Sequence, residues 1–128
     1  MIVADSDVLV DFLRGKGASK VVAHELRTGV LATTAVTVFE LWCGVHSAKQ
    51  AESVRLLLDA MTILPLTPMA AECAGQLKSK MDKTGKTIAS ADALIAGICL
   101  ANDGRLLTRN IRHFADVPGL TLYQLLGD

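Results

Sequence analysis

The sequence lacks a net charge, because thirteen basic residues are balanced by thirteen acidic ones over 128 residues. Proteins that hold nucleic acid through their overall charge carry a clear basic excess. Any binding of RNA must therefore come from a local patch. Hydrophobic residues are plentiful at 51%, which is enough apolar material for a core and more than a disordered chain contains.

Cysteine is scarce and unpaired in the sequence. Cys43, Cys73 and Cys99 are the three cysteines of the chain, and none forms a Cys-x-x-Cys pair. An odd number without such pairs is not the pattern of a disulfide framework. Each lies in an apolar, helix-like stretch, so we expect three buried, reduced thiols in a cytosolic protein.

Long apolar runs are also missing. The longest uncharged helical stretch, residues 93–101, is far shorter than the ~20 residues that span a bilayer. The apolar start of the chain ends at Ala4, before Asp5, and no basic segment precedes it. We therefore expect no signal peptide, no membrane contact and a cytoplasmic location.

Short apolar segments alternate with helical ones along the chain. Strands are predicted at residues 2–4, 30–32, 62–66, 106–108 and, at an edge, 121–123. Helices are predicted at residues 8–13, 18–27, 36–45, 51–60, 68–85 and 91–102, the last two capped by Thr67 and Ser90. This alternation predicts a three-layer α/β/α fold with a mostly parallel sheet of four to five strands. One domain is expected to cover residues 1–128.

Polar residues stand where several of these strands end. Asp5 ends the first strand, and Glu40 lies early on the helix after the second. Asp92 opens the apolar helix, and Asn110 follows the fourth strand. Ligands of open α/β sheets bind beyond the carboxyl ends of the strands. We therefore expect these four residues to converge on one edge of the sheet.

Carboxylates that lie close together repel one another, and a cation among them removes the repulsion. Oxygen ligands without His or Cys suit Mg²⁺ or Mn²⁺ rather than Zn²⁺, and such an ion can activate water against a phosphodiester. Asp5, Glu40 and Asp92 thus form a candidate metal site. Taken singly, each also fits an ordinary role: a turn residue, a solvated helix residue and a residue favoured by the helix dipole.

Four motifs, in this order, resemble those of the PIN-domain ribonucleases of the VapC toxin family. They are IVADSDVL (residues 2–9), TVFELWCG (37–44), DALIAG (92–97) and LTRN (107–110), the last followed by His113 and Phe114. The resemblance implies a PIN-like fold and metal ligation by Asp5 and Asp92, with Glu40 as a further acidic member. Asn110 occupies a position that is often Asp in the family, and Asp116 is an alternative for that position.

The resemblance also implies endonucleolytic cleavage of structured RNA, a homodimer, and a VapB-like antitoxin whose tail covers the acidic site. Ser6 and Thr108 lie beside motif positions, so we expect them to hydrogen-bond the metal ligands. Arg109 and Arg112 flank the fourth motif and are candidates for phosphate contacts with RNA.

The sequence leaves two other functions open. Residues 5–8, Asp-Ser-Asp-Val, also fit the nucleophile loop of haloacid-dehalogenase-like phosphatases, in which the first Asp attacks phosphorus. That mechanism expects a late acidic pair, and the chain contains no late Asp-Asp. The second alternative is a non-catalytic PIN domain that binds RNA or a protein partner. Asn110 favours it, whereas Asp5, Glu40 and Asp92 count against it.

Overall fold

The computed structural model describes residues 1–125 and contains one parallel sheet with strand order β3-β2-β1-β4-β5. The strands are β1 (Ile2–Ala4), β2 (Leu31–Thr34), β3 (Thr62–Leu64), β4 (Arg105–Leu107) and β5 (Thr121–Leu122). The helices are α1 (Ser6–Arg14), α2 (Ser19–Arg27), α3 (Ala35–Cys43), α4 (Ala48–Asp59), α5 (Pro68–Lys83), α6 (Ser90–Ala101) and α7 (Ile111–Phe114). The predicted three-layer α/β/α fold is confirmed.

Strand β1 lies at the centre of the sheet. Its last residue, Ala4, pairs with Thr33 of β2 on one side and with Leu107 of β4 on the other. The carboxyl ends of the three strands are therefore level. The chain moves from β1 to β2 in one direction and reaches β4 on the opposite side, and such a change of direction marks the ligand-binding edge of open α/β sheets.

Two apolar cores cover the two faces of the sheet. Val3 packs into the core formed with α5, α6 and α7, whereas Ile2 and Ala4 pack into the core formed with α1, α2 and α4. This alternation follows from the two-residue period of a strand. All three residues of β1 are buried, which explains why the strand is apolar throughout.

Helices α5 and α6 approach closely because small residues lie between them. A Cβ at Gly97 would lie 2.6 Å from the carbonyl oxygen of Ala70 and 2.8 Å from the Cβ of Ala74. Only glycine fits there without a shift of the backbone. This packing fixes the position of α6, whose first turn carries Asp92.

Some local expectations are corrected. The prediction that Ser90 caps α6 is wrong, because the helix begins at Ser90 itself and Ala89 occupies the cap position without a side-chain hydrogen bond. The expectation of three buried thiols is also wrong: Cys43 is exposed and Cys73 is partly buried, so only Cys99 is fully inside. Within residues 1–125, no helix combines the length and the hydropathy needed to cross a bilayer.

Candidate metal centre

Asp5 is held at the end of β1 by hydrogen bonds from two directions. Its Oδ1 accepts from the backbone N–H of Ser6 at 2.8 Å, which caps α1, and its Oδ2 accepts from the hydroxyl of Thr108 at 2.8 Å. Asp5 is only 4% exposed. Burial raises the pKa of this carboxyl, the Thr108 hydroxyl lowers it, and the charges of Asp7 and Asp92 raise it further.

Glu40 reaches the same edge from α3, which starts directly after β2. Thr34, the last residue of β2, caps this helix by accepting a hydrogen bond from the N–H of Thr37 at 3.0 Å. This tight strand-to-helix junction places Glu40 on the second turn of the helix. Its Oε1 is buried and has no hydrogen-bond partner. A buried oxygen of a carboxylate without a donor is costly, so a cation there would be stabilising.

The electrostatic surroundings of Glu40 show which groups are near it. Burial raises its pKa, and the charges of Asp5, Asp92 and Asp7 add to the rise, while Ser6 acts in the opposite direction. The negative charges of Asp5, Glu40 and Asp92 are therefore near enough to one another to affect each other's surroundings at this edge of the sheet.

Asp92 has one clear partner at this edge. Its Oδ2 lies 3.2 Å from Nδ1 of His113, which belongs to the short helix α7. In the sequence, His113 stands out only as a residue that follows the fourth motif. The signal that could have revealed the contact is the position of His113 just after the fourth motif, where α7 turns back toward the start of α6.

The acidic group is a set of neighbouring carboxylates rather than a preformed cage. Among residues 1–125, no three Asp, Glu, His or Cys side chains are already arranged to hold an ion. Mg²⁺ retains several of its waters and needs few protein ligands, so it suits such an open group. Burial raises the pKa of the Cys99 thiol to about 12, with Asp5 adding to the effect, and thiol sulfur is a softer ligand than Mg²⁺ prefers.

Asp7 is a further carboxylate at this edge to which sequence reasoning gave no role in the site. Its Oδ2 accepts a hydrogen bond from the backbone N–H of Arg109 at 2.8 Å, and its Oδ1 accepts from the N–H of Val8 at 2.7 Å. The spacing of two residues from Asp5 was the available signal. Unlike Glu40, Asp7 has donors for both oxygens.

The fourth motif contributes through its backbone and its hydroxyl group. Thr108 donates to Asp5 and in turn accepts from the N–H of Asn110 at 3.0 Å. The side chain of Asn110 is exposed and does not cap α7. Asp116, the alternative for this position, lies instead 3.7 Å from Lys86 in an exposed ion pair.

The PIN domain family model matches residues 2–120 of the chain. The chain belongs to the PIN domain family. This PIN domain is 34% identical to Ribonuclease VapC10 of Mycobacterium tuberculosis over 115 residues, which cover 89% of the chain and 86% of that protein. It is also 24% identical to the tRNA(fMet)-specific endonuclease VapC of Shigella flexneri over 120 residues, which cover 91% of each protein.

The fold of this PIN domain is similar to that of a solved toxin–antitoxin structure. The VapBC2 complex of Rickettsia felis, bound to a DNA fragment from its promoter, matches with a TM-score of 0.86 over 98% of this chain and 99% of the other. At 23% identity this likeness shows the fold alone. The relative at 34% identity adds the family, so the expected resemblance to the VapC ribonucleases is confirmed.

The two arginines beside the fourth motif of the PIN domain lie in different surroundings. Nε of Arg109 is 2.7 Å from Oδ2 of Asp11, and its Nη2 donates to Oδ1 of the same carboxylate at 3.1 Å. Arg112 is exposed on α7 and has no ion pair among residues 1–125. Of the two candidate RNA contacts, Arg112 is therefore the one with a free guanidinium.

The residues present fit a hard divalent cation. The candidate ligands Asp5, Glu40 and Asp92 offer only oxygen atoms, which match the preference of Mg²⁺ and Mn²⁺. The buried, unpartnered Oε1 of Glu40 is the atom that such an ion would satisfy. The same ion would reduce the mutual repulsion of the three carboxylates.

Proposed function

We propose that this PIN domain is a Mg²⁺-dependent endoribonuclease, also active with Mn²⁺, and the toxin of a VapBC-like toxin–antitoxin pair. The observation that carries the proposal is the buried Oε1 of Glu40, which lacks a hydrogen-bond partner and lies beside the charges of Asp5 and Asp92. Membership of the PIN domain family and similarity to proteins named ribonucleases support the type of reaction.

In this proposal Asp5, Glu40 and Asp92 would hold the ion, and Mg²⁺ would supply positive charge that polarises a phosphodiester and makes water more acidic. Thr108 keeps Oδ2 of Asp5 in one orientation through its hydrogen bond. Nδ1 of His113 lies 3.2 Å from Oδ2 of Asp92, which limits the positions open to that carboxylate. These contacts fix the ligands before substrate binds, which lowers the cost of ordering them during the reaction.

Asn110 is proposed as the fourth polar group of the site. Its amide carbonyl can accept a hydrogen bond or contact the ion, but it brings no negative charge. Its main chain is held beside the site by the hydrogen bond from its N–H to Thr108. The smaller total charge makes the proposed site weaker for a second ion than one with Asp at this position.

The proposed substrate is a structured RNA, and the proposed location is the cytoplasm. The similarity to a Shigella flexneri protein named as a tRNA(fMet)-specific endonuclease supports this class of substrate. Because the chain has no net charge, phosphate contacts must be local. Arg112, exposed on α7 next to His113, is the candidate for such a contact. One domain, matched by the family model over residues 2–120, is proposed to carry the whole activity.

A groove beside the acidic group supports an antitoxin partner. It lies between α1, α3 and α4, has a volume of about 420 Å³, and is lined by Val10, Leu13 and Leu41, with Glu40 also in its wall. A peptide segment with apolar side chains in this groove would cover Glu40. If the proposal is correct, the product of a short neighbouring gene should co-purify with the chain and inhibit cleavage, and Leu13→Asp should weaken both effects.

A patch of exposed apolar side chains supports a homodimer. Phe39 is 67% exposed and Leu66 is 41% exposed, and both lie with Leu94 around one shallow depression. Apolar patches of this kind are typical of protein interfaces. Light scattering should give the mass of two chains, and Phe39→Asp should give the mass of one chain. A monomer at micromolar concentration before substitution would contradict the homodimer.

The nuclease proposal is tested by cleavage of structured RNA with purified protein. Cleavage should require Mg²⁺ or Mn²⁺, stop in excess EDTA, and return when the metal is restored. Asp92→Asn should remove it, whereas Asp103→Asn, an exposed carboxylate just beyond the other end of α6, is the matched control. Undiminished cleavage in EDTA would refute the metal dependence. Binding of RNA without cleavage under all these conditions would favour the non-catalytic alternative.

A further inference from the structure

We propose that the ion pair between Asp11 and Arg109 positions the metal ligand Asp5, acting through the backbone of residue 109 and the hydroxyl of Thr108. Both members of the pair are positioning residues and neither meets substrate or metal. The inference rests on the proposed function, because it concerns the same acidic site.

The segment after β4 makes three contacts with α1 and with Asp5, the residue that caps this helix. The Thr108 hydroxyl donates to Oδ2 of Asp5 at 2.8 Å. The N–H of Arg109 donates to Oδ2 of Asp7 at 2.8 Å, and its guanidinium binds Asp11 through two nitrogens. Asp7 and Asp11 are four residues apart and therefore lie on one face of α1. One face of α1 thus binds both the main chain of Arg109, through Asp7, and its side chain, through Asp11.

Asp11 is held in place by burial and by its hydrogen bonds. It is 3% exposed, and its Oδ2 accepts from the N–H of Ala18 at 2.9 Å as well as from Arg109. The turn between α1 and α2 leaves room for it, because a Cβ at Gly17 would lie 2.3 Å from Oδ2 of Asp11. The Asp11 carboxylate is therefore held in one position, and it orients the guanidinium of Arg109 that binds to it.

Two-point binding fixes an arginine in both distance and orientation. The Cα of Arg109 is thereby held at a set distance from α1, and the peptide that joins it to Thr108 is held by Asp7. Thr108 is buried, so its hydroxyl has little freedom once the main chain is fixed. Loss of the ion pair would loosen the hydroxyl from Asp5 without removing any candidate ligand.

This arrangement changes the role expected of Arg109 from the sequence. Its side chain is 52% exposed, but its Nε and Nη2 already face Asp11. A phosphate could meet only the remaining edge of the guanidinium. Positioning and RNA binding predict different effects of substitution, because the former acts on metal affinity and turnover whereas the latter acts on RNA affinity.

The first experiment measures Mn²⁺ binding by titration calorimetry on the full chain, without RNA. On charge alone, Asp11→Asn should weaken Mn²⁺ binding and Arg109→Gln should strengthen it, since one removes a negative charge and the other a positive one. Positioning predicts the same sign in both, a loss of about 10-fold, as is typical for residues that orient metal ligands. Arg109→Lys, which keeps one ion-pair contact, should recover part of the loss.

The second experiment separates turnover from RNA affinity. Asp11→Asn and Arg109→Gln should each lower kcat by about 10-fold, with KM within roughly twofold of the parent value. The double variant should lose no more than either single one, because both substitutions break the same connection. Thermal unfolding must show that the variants are folded at the assay temperature.

A matched pair of glycine variants tests the connection without changing any charge. Gly17→Ala introduces a side chain against Asp11, whereas Gly15→Ala meets nothing within 4 Å. Both glycines have positive φ, 56° and 67°, so the backbone strain is similar. Gly17→Ala should weaken Mn²⁺ binding and Gly15→Ala should leave it unchanged.

The outcomes separate this inference from the proposed function. If the parent protein binds no Mn²⁺ and cleaves no RNA, the proposed function fails and the positioning role falls with it. If the parent binds and cleaves while the Asp11 and Arg109 variants bind Mn²⁺ normally, only the positioning role is overturned. An increase of KM in Arg109→Gln, with Asp11→Asn unaffected, would assign Arg109 to RNA instead.

Discussion

The acidic edge of the sheet contains carboxylates of two kinds. Asp7 and Asp11, on one face of α1, accept hydrogen bonds at both of their oxygens, from main-chain N–H groups and from a guanidinium. Glu40, facing the same edge from α3, has a buried oxygen with no partner, and its pKa is raised by burial. The difference shows that the fold can provide donors for both oxygens of a buried carboxylate, and that it leaves Oε1 of Glu40 without one.

Asp5 stands between the two kinds. Both of its oxygens have donors, Ser6 and Thr108, yet its pKa is raised by burial and by the neighbouring charges. A residue that is oriented by hydrogen bonds and still carries unrelieved charge is suited to bind a cation. The satisfied carboxylates are thus expected to support the structure, and the strained ones the function.

The largest effect is expected on RNA cleavage, from substitution of the candidate metal ligands Asp5 and Asp92. Asp5→Asn and Asp92→Asn should each lower RNA cleavage by about a thousandfold, or ~4 kcal/mol of transition-state stabilisation. Stability should be retained, because an amide at position 5 can still accept from Ser6 or Thr108 and because repulsion between carboxylates is reduced. Cleavage rates and urea unfolding together provide the measurement. Turnover close to that of the parent in both variants would end the assignment.

The next largest effect is expected at the carboxylates that have donors for both oxygens, and it concerns the free energy of unfolding. Asp11→Ala should lower the free energy of unfolding by roughly 2 kcal/mol, because Ala18 and Arg109 lose a charged acceptor. Asp82→Ala is the control: it removes an exposed carboxylate that lies 3.4 Å from Lys78, and should cost less than about 0.5 kcal/mol. Urea unfolding with metal removed measures both. Equal losses would show that burial of Asp11 has no energetic consequence.

A smaller effect, of opposite sign, is expected at Glu40. Its raised pKa means that the folded protein binds a proton more readily than the unfolded chain does. The metal-free protein should therefore lose stability as pH rises from near the ordinary value of 4.5 through the raised value. Glu40→Gln removes this loss, so at pH 7 it should be more stable than the parent by less than about 1 kcal/mol, and the advantage should fade toward pH 4.

Thermal unfolding between pH 4 and pH 8 in EDTA measures the effect at Glu40. Mg²⁺ should reverse the order, because it stabilises the parent by binding to the folded form. A parent protein that is more stable than Glu40→Gln at pH 7 without metal would show that the unpartnered oxygen is not a source of strain.

The smallest effect is expected at Asn110. Its exposed side chain caps no helix, and its backbone carries the contact to Thr108. Asn110→Asp should therefore keep or raise cleavage, with a change within about threefold, or ~0.6 kcal/mol. A loss greater than tenfold would show that the amide has a specific role that a carboxylate cannot fill.

The sequence predicted the order of the five strands and of six of the seven described helices, because these depend on local signals, but it did not predict the short helix α7. Apolar periodicity marks strands and helices, and parallel strands bring residues that follow them to one edge. The partners of Asp7 and Asp11 were not predictable in this way. Arg109, the partner that they share, lies 102 and 98 residues further along the chain, and only the fold brings it to them.

The start of α6 shows a second limit. A serine before an apolar helix is a common cap, but Ser90 is already helical and its hydroxyl group caps nothing. The helix begins where its packing on α5 and the sheet requires, and a gain of about 1 kcal/mol from a cap does not override that burial. His113 likewise reaches Asp92 only because α7 folds back from β4.

The central position of β1 has a consequence for incomplete chains. The first strand acquires its second neighbour, β4, only when almost the whole chain is present, and Thr108 reaches Asp5 from 103 residues away. A fragment that stops before β4 contains all three acidic residues but neither the strand that completes the centre of the sheet nor the hydroxyl that orients Asp5. We therefore expect fragments from interrupted translation or early proteolysis to be unable to cleave RNA, so that the proposed nuclease would become active only once its synthesis is nearly finished.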